Sequence, residues 1–251
     1  MLKVNNLEKS YGTNKVLGGV SFSIEQGSLS SIIGPSGGGK SVLMKIISGF
    51  VTPDRGNVEY GCITKDKISF MFQEGALFDS ISVLDNVAFP LVEGRVPVSQ
   101  LSANERREVC QRAFEALDSV GLAQAALKMP GQISGGMRRR VSLARAFVSR
   151  PDLMLLDDPT AGLDPVASSV IMNLVVKLHQ DYRPTMLIIS HDLRRLLPIV
   201  ESVFCLFDGT IQFSGTVPEL TSKASEEIKH FVACRFDLNS NPTTPERSPT
   251  A

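Results

Sequence analysis

Apolar positions fall into two spacings along this chain. Leu29-Ser30-Ser31-Ile32-Ile33, Leu153 to Leu156 and Met186 to Ile189 are short apolar runs that predict buried strands, and Val16 to Ile24 alternates as an edge hairpin strand does. Val203 to Phe207 turns through Asp208-Gly209 into Ile211 to Phe213, the pattern of a hairpin. Elsewhere the spacing is helical. Val42 to Ile47 reads as a buried helix. Ser102-Ala103-Asn104-Glu105 predicts a capping box ahead of a helix with apolar Val109, Ala113, Ala116, Leu117 and Val120, ended by Gly121. Asp164-Pro165 opens another, with Val170, Ile171, Leu174, Val175 and Leu178 on one face and Pro184 as its stop. Glu219 to about Phe236 predicts one C-terminal helix, set apart as residues 221–237. Leu238 to Ala251, rich in Ser, Thr, Pro and Asn, reads as a disordered tail. Strand and helix alternate on either side of a differently textured, helical stretch from about Asp79 to Gly131, and no segment repeats.

The chemistry begins at Gly34-Pro35-Ser36-Gly37-Gly38-Gly39-Lys40-Ser41, an unbroken G-x-x-x-x-G-K-[ST] phosphate loop. Its glycines let successive N–H groups turn inward to the α- and β-phosphates of a nucleotide. Lys40 would neutralise the β- and γ-phosphates, and the Ser41 hydroxyl is a hard oxygen donor for Mg²⁺. A chance glycine-rich turn is the competing reading. The strand before the loop and the helix after it argue against that, because the helix aims its N-terminal dipole at the phosphates. A second strand, Leu153 to Leu156, ends in Asp157-Asp158. Asp157 would hold Mg²⁺ directly or through water, and Asp158 lies one residue closer to the γ-phosphate, where a base orients the attacking water. A plain turn at Asp158-Pro159 is the alternative. Ser134-Gly135-Gly136 opens a helix and offers a further anion site, or simply a capped helix end.

At 251 residues the chain has room for one large domain or two intimate ones. Lys plus Arg total 26 and Asp plus Glu total 26, so no excess charge points to nucleic acid or to an anionic membrane surface. No stretch approaches the ~20 apolar residues of a membrane span, and Met1 to Asn6 lacks the apolar core of a signal peptide, so the chain reads as soluble. Cys62, Cys110, Cys205 and Cys234 form no C-x-x-C pair. Buried, reduced thiols of a cytosolic protein are expected, with no zinc site and no disulfide framework.

Taken with Gln73, Gly162-Leu163-Asp164 and His191, the phosphate loop, Ile133-Ser134-Gly135-Gly136-Met137 and the acidic strand end resemble, in order and spacing, the nucleotide-binding subunit of an ABC transporter over roughly residues 1–220. The resemblance implies an α/β fold: a RecA-like P-loop NTPase core with an antiparallel β subdomain and a helical subdomain inserted at about 79–140. It implies ATP and Mg²⁺ as cofactors and ATP hydrolysis as the activity. Tyr11 matches the aromatic residue that stacks on adenine, with core packing as the rival. Gln73 matches the residue that touches Mg²⁺ and the attacking water and senses the membrane subunit. His191 matches the histidine that reaches the γ-phosphate. Ser134, Gly135, Gly136 and Met137 match the signature that meets the phosphate loop of a second copy, and Asp164 the residue that links the two sites. Neither site is then complete in one chain.

Ile133 and Met137 stand where the family usually has leucine and glutamine, and Asp158 where it usually has glutamate. A carboxylate retracted by about 1.5 Å can cost on the order of a hundredfold in rate. Slow hydrolysis, or ATP binding without turnover, therefore stays open beside Asp158 acting as the base. Phe72-Gln73-Glu74-Gly75-Ala76-Leu77-Phe78-Asp79, Asn86 to Leu91 and Met137 resemble one branch, the ATPases of Mla-type and Mce-associated lipid transporters. That implies a lipid cargo, an integral membrane permease, Mce-type lipid-binding subunits and a place on the cytoplasmic face of the inner (plasma) membrane. An importer of small polar solutes and a non-transport ABC ATPase are the alternatives. No nucleic-acid partner is expected, and Arg138 to Arg140 reads as a solvated helix face with ion pairs.

Overall fold

The computed structural model describes residues 1–73 and 75–236. Glu74, Asp237 and the expected tail from Leu238 onward lie outside the described residues. The first part of the chain forms β1 (Leu2–Tyr11), β2 (Asn14–Ile24), β3 (Leu29–Ile33), α1 (Lys40–Ile47), β4 (Arg55–Glu59) and β5 (Ile68–Met71). Helices α2 (Val83–Ala88), α3 (Ala103–Ser119) and α4 (Gly135–Phe147) follow. Then come β6 (Leu153–Asp157), α5 (Pro165–Tyr182), β7 (Thr185–Ile189), α6 (Leu193–Leu196), β8 (Ser202–Phe207), β9 (Thr210–Gly215), α7 (Val217–Lys223) and α8 (Glu226–Ala233).

Two sheets result. Strands β2-β1-β4 pair antiparallel, with β2 at an edge, and β5-β6-β7-β3-β8-β9 form a second sheet that is parallel except for β9. The parallel strands are apolar at nearly every position because both of their faces are covered. Met154, Leu156, Met186, Ile188, Val203 and Cys205 point into one core with Val175 and Leu178 of α5, Leu196 of α6, Leu220 of α7 and Ile228 of α8. Their neighbours Leu153, Leu155, Leu187, Ile189, Phe204 and Leu206 face the opposite core. There they meet Leu43, Met44 and Ile47 of α1 and Val4, Leu7 and Val20 of the antiparallel sheet. Each such side chain removed from water contributes about 1.5–3 kcal/mol before chain entropy is charged against it. A third core joins Val83 and Val87 of α2, Val109 and Leu117 of α3, and Val141 and Ala144 of α4. Helix α4 also sends Leu143 and Phe147 to the large sheet, so it fastens the helical layer to the strands.

Four local expectations change. Ser102 Oγ accepts the Glu105 N–H (3.4 Å), but the Glu105 carboxylate pairs with Arg95 (2.6 Å) instead of completing the box. The single C-terminal helix is two helices: Ala224 is extended and Ser225 restarts the coil by accepting the Ile228 N–H. Cys62 and Cys234 are exposed and only Cys205 is buried, so the expectation of buried thiols holds for one of the four. The arginine run serves backbone carbonyls, with Arg139 donating to Ala161 O (2.9 Å) and Arg140 to Val120 O (3.0 Å), where a solvated face was expected.

Candidate active site

The site lies at the carboxyl ends of adjacent parallel strands, the edge where open α/β sheets bind ligands. Because β6, β7 and β3 are neighbours, the segments leaving them are brought together: Asp157-Asp158 after β6, Ser190-His191 after β7, the phosphate loop after β3. Asp157 stands opposite Ile189, and Ile32 pairs with the same residue on its other side. Gln73 enters from β5, whose last residue, Met71, pairs with Leu156. These segments enclose a cleft of about 340 Å³. It is lined by Tyr11, Ser36, Gly37, Gly39, Lys40, Ser41, Gln73, Asp157, Asp158 and His191, with Val16, Val42 and Ile189 added.

Backbone packing explains the loop's glycines. A Cβ at Gly34 would sit 2.1 Å from Leu206 O, and Gly39, at φ +88°, already lies against Val16 and Leu17. Gly39 also caps α1 without a side-chain acceptor, which leaves the helix's first N–H groups to the cleft. Lys40 is buried and its ammonium donates to Gly34 O (3.0 Å) and Pro35 O (2.7 Å). Burial pulls its pKa down, opposed by the nearby charges of Asp157 and Asp158.

Ser41 Oγ donates to Asp157 Oδ1 at 3.1 Å. Burial raises the Asp157 pKa, the Ser41 hydrogen bond lowers it and Asp158 adds to the rise. Among the described residues there is no group of three or more His, Cys, Asp or Glu around a shared point. A hydroxyl, one carboxylate and the amide of Gln73 are an all-oxygen set, and it fits Mg²⁺, which takes few protein ligands and completes its shell with phosphate oxygens and water.

Asp158 is only 5% exposed and sits at φ +46°, a left-handed conformation that Asp tolerates better than most residues. Its N–H donates to Ile189 O (2.9 Å), locking it to β7. Its Oδ1 accepts from Thr160 Oγ1 (3.4 Å) and Ser190 Oγ (3.3 Å), and its Oδ2 is 3.8 Å from His191 Nε2. The His191 side chain is half exposed and lines the cleft. Thr160 and Ser190 escaped the sequence reading, although each lies within two residues of a residue it singled out. Tyr11 is 52% exposed, which removes core packing as its explanation, and Lys9 sits 5.5 Å from the centre of its ring.

Ser134, Gly135, Gly136, Met137 and Asp164 do not line this cleft. They stand together at a second place on the surface. Ser134 Oγ accepts the Met137 N–H (3.3 Å), Asp164 Oδ1 accepts from Val166 and Ala167 N–H (2.9 Å each), and Gly136 lies against Ala167. Ser134 and Gly135 are exposed, so their helix tip is open to a second molecule.

A phosphate loop on this sheet, with a carboxylate pair beside it, defines a P-loop nucleoside triphosphatase. The sequence profile of the family described as ABC transporter matches residues 17–161. The intermembrane phospholipid transport ATP-binding protein MlaF of Haemophilus influenzae is 32% identical, covering 94% of this chain and 92% of its own. A chloroplastic protein of Arabidopsis thaliana, trigalactosyldiacylglycerol 3, is 33% identical over 94% of this chain and 74% of its own. Among solved structures, a dimeric ATP-binding cassette in a post-hydrolysis state with ADP and Pi superposes with a TM-score of 0.74 at 31% identity, over 86% of this chain and 98% of that one. The chain belongs to the ABC transporter family, as one of its ATP-binding, ATP-hydrolysing subunits.

Proposed function

We propose that two copies of this chain close head to tail over two ATP molecules and so drive lipid movement by a separate membrane permease. The observation that carries this reading is the separation of two half-sites. The phosphate loop, Ser41, Asp157, Asp158 and His191 share one cleft, while the exposed helix tip at Ser134 and the exposed Asp164 turn are not part of its lining. One copy supplies the cleft and the other the helix tip. Tyr11 stacks on adenine, the loop N–H groups hold the phosphates, and Lys40 swings from its carbonyls onto the β- and γ-phosphates. Ser41, Asp157 and Gln73 hold Mg²⁺, which when bound neutralises charge on the triphosphate. Asp158 accepts the proton of the attacking water and His191 donates to the γ-phosphate.

The relatives' names support a lipid, in particular a phospholipid, as cargo. Among the described residues no helix is long and apolar enough to cross a membrane. Membership of the ABC transporter family supports a separate permease for the membrane part of the reaction. Phe72, next to Gln73 in the chain, is exposed and stacks on exposed Phe50 at 5.7 Å, and Phe78 is exposed five residues beyond Gln73; these apolar rings suit a permease helix. Arg145 fastens that loop by donating to Gly75 O (2.8 Å) and Ala76 O (2.9 Å), and Asn86 holds Phe78 through both its N–H and its carbonyl. The chain then sits at the cytoplasmic face of the inner membrane, peripheral through its permease, with Mce-type subunits as further partners. Affinity purification from membranes tests this. An integral protein with bound phospholipid is expected, and recovery with a polar-solute permease would overturn the lipid assignment.

A further inference from the structure

Arg195 lies outside the cleft and joins the segment that carries His191 to the helix that carries Asp164. Its Nε donates to Ser169 Oγ (2.9 Å) and its Nη2 to Pro165 O (3.0 Å), both in the opening turns of α5. Its Nη1 reaches Oδ2 of Asp192, the neighbour of His191, and its backbone N–H donates to Oδ1 of that carboxylate (3.4 Å). Asp192 is anchored again by its own N–H, which donates to Ser190 Oγ (3.1 Å), the hydroxyl that also faces Asp158. At the other end the Asp164 carboxylate is fixed to the first turn of α5 by the N–H groups of Val166 and Ala167. A planar, permanently charged guanidinium reaches its acceptors from three separate nitrogens, here Nε, Nη1 and Nη2, a span that the single nitrogen of a lysine ammonium lacks.

We propose that Arg195 is a positioning residue that makes the His191 turn and the Asp164 turn move as one body. Contact of Asp164 with a second copy then sets His191 against the γ-phosphate held by its own chain. This rests on the two-copy reading above. One side chain thus joins Asp192 to Ser169 and Pro165, which lie 26 and 30 positions before Arg195.

The test is a double-mutant cycle between Arg195 and Asp164, run on the full chain in its permease complex with kcat and ATP affinity measured separately. Arg195→Ala is expected to lower kcat tenfold or more while ATP affinity stays within about twofold. Asp164→Ala is expected to lower kcat comparably, and the double variant to fall no more than about twofold below the weaker single, because residues acting through one link are not additive. Arg195→Lys should recover less than half of the loss. Losses that multiply, or full recovery by lysine, overturn the Arg195 link and leave the two-copy reading standing. A silent Asp164→Ala overturns that reading as well. If Arg195→Ala melts well below the parent, Ser169→Ala takes its place, since it removes the Arg195 Nε bond and the hydroxyl's own bond to Pro165 O (3.0 Å), both on the α5 side, and leaves the Asp192 side intact. The same non-additivity with Asp164→Ala is expected of it, and multiplying losses again refute the link.

Discussion

Asp158→Asn isolates the role of the shorter carboxylate. The substitution keeps shape and burial, and the amide oxygen can still accept from Thr160 Oγ1 and Ser190 Oγ, which face Oδ1 at 3.4 and 3.3 Å. The left-handed backbone at φ +46° suits Asn as well as Asp, so no strain is added. What changes is the charge and the basicity 3.8 Å from His191 Nε2. A general base contributes roughly 10²–10⁴ in rate, so kcat should fall by that factor, about 2.7–5.4 kcal/mol of barrier. ATP affinity should hold or improve, because a negative group near the γ-phosphate is removed. Asp158→Glu advances the carboxylate by about one bond, ~1.5 Å, toward the cleft. If reach limits the parent, kcat rises. Steady-state phosphate release from the purified complex, with fluorescent-nucleotide binding alongside, reads both quantities. An asparagine variant that hydrolyses ATP as fast as the parent refutes the role given to Asp158.

Three further outcomes are expected. Tyr11→Ala should weaken ATP binding about five- to a hundredfold, since base–aromatic stacking contributes roughly 1–3 kcal/mol, with Tyr11→Phe near the parent and thermal stability unmoved in both; equal affinity for the alanine variant would remove Tyr11 from the adenine site. Burial pushes the Cys205 thiol up to about 12, so at pH 8 a thiol reagent should label exposed Cys62 and Cys234 quickly and Cys205 only on unfolding, as peptide mapping would show. The Lys223 ammonium and the Thr216 N–H and hydroxyl hold the Glu219 carboxyl down at about 2 against an ordinary 4.5, so its stabilising effect is complete above pH 4.5 and lost as pH falls toward 2. Glu219→Gln should therefore flatten the stability difference in that window, and an unchanged acid profile would show that the Thr216 cap does not depend on this charge.

The parts of the site that the sequence announced are those whose chemistry is contiguous. The phosphate loop is eight adjacent residues between a strand and a helix, Asp157-Asp158 follows an apolar run directly, and His191 follows one after a single serine. The order β5-β6-β7-β3-β8-β9 was not legible, because pairing β3 between β7 and β8 is a long-range choice that no local period records. Ser190 was missed for the same reason, and Thr160 because a hydroxyl in a turn carries no periodic signal. The Ser190 hydroxyl meets Asp158 because Asp157 and Ile189 stand opposite each other on neighbouring strands, whereas Thr160 reaches it through the local turn two residues on. The failed capping box at Glu105 and the break at Ser225 show local signals decided by partners, Arg95 in one case and the Ile228 N–H in the other. Thr216-Glu219, whose ion pair among the described residues is with Lys223 of its own helix, completes the reciprocal pattern.

The most direct measurement is the structure of the Asp158→Asn chain in its permease complex, held with Mg²⁺ and ATP. Two copies are expected with Ser134 Oγ and the Gly135 and Gly136 N–H groups of each within about 3 Å of the triphosphate bound in the other's phosphate loop. ATP retained in both clefts while those helix tips face solvent would contradict the shared-site account.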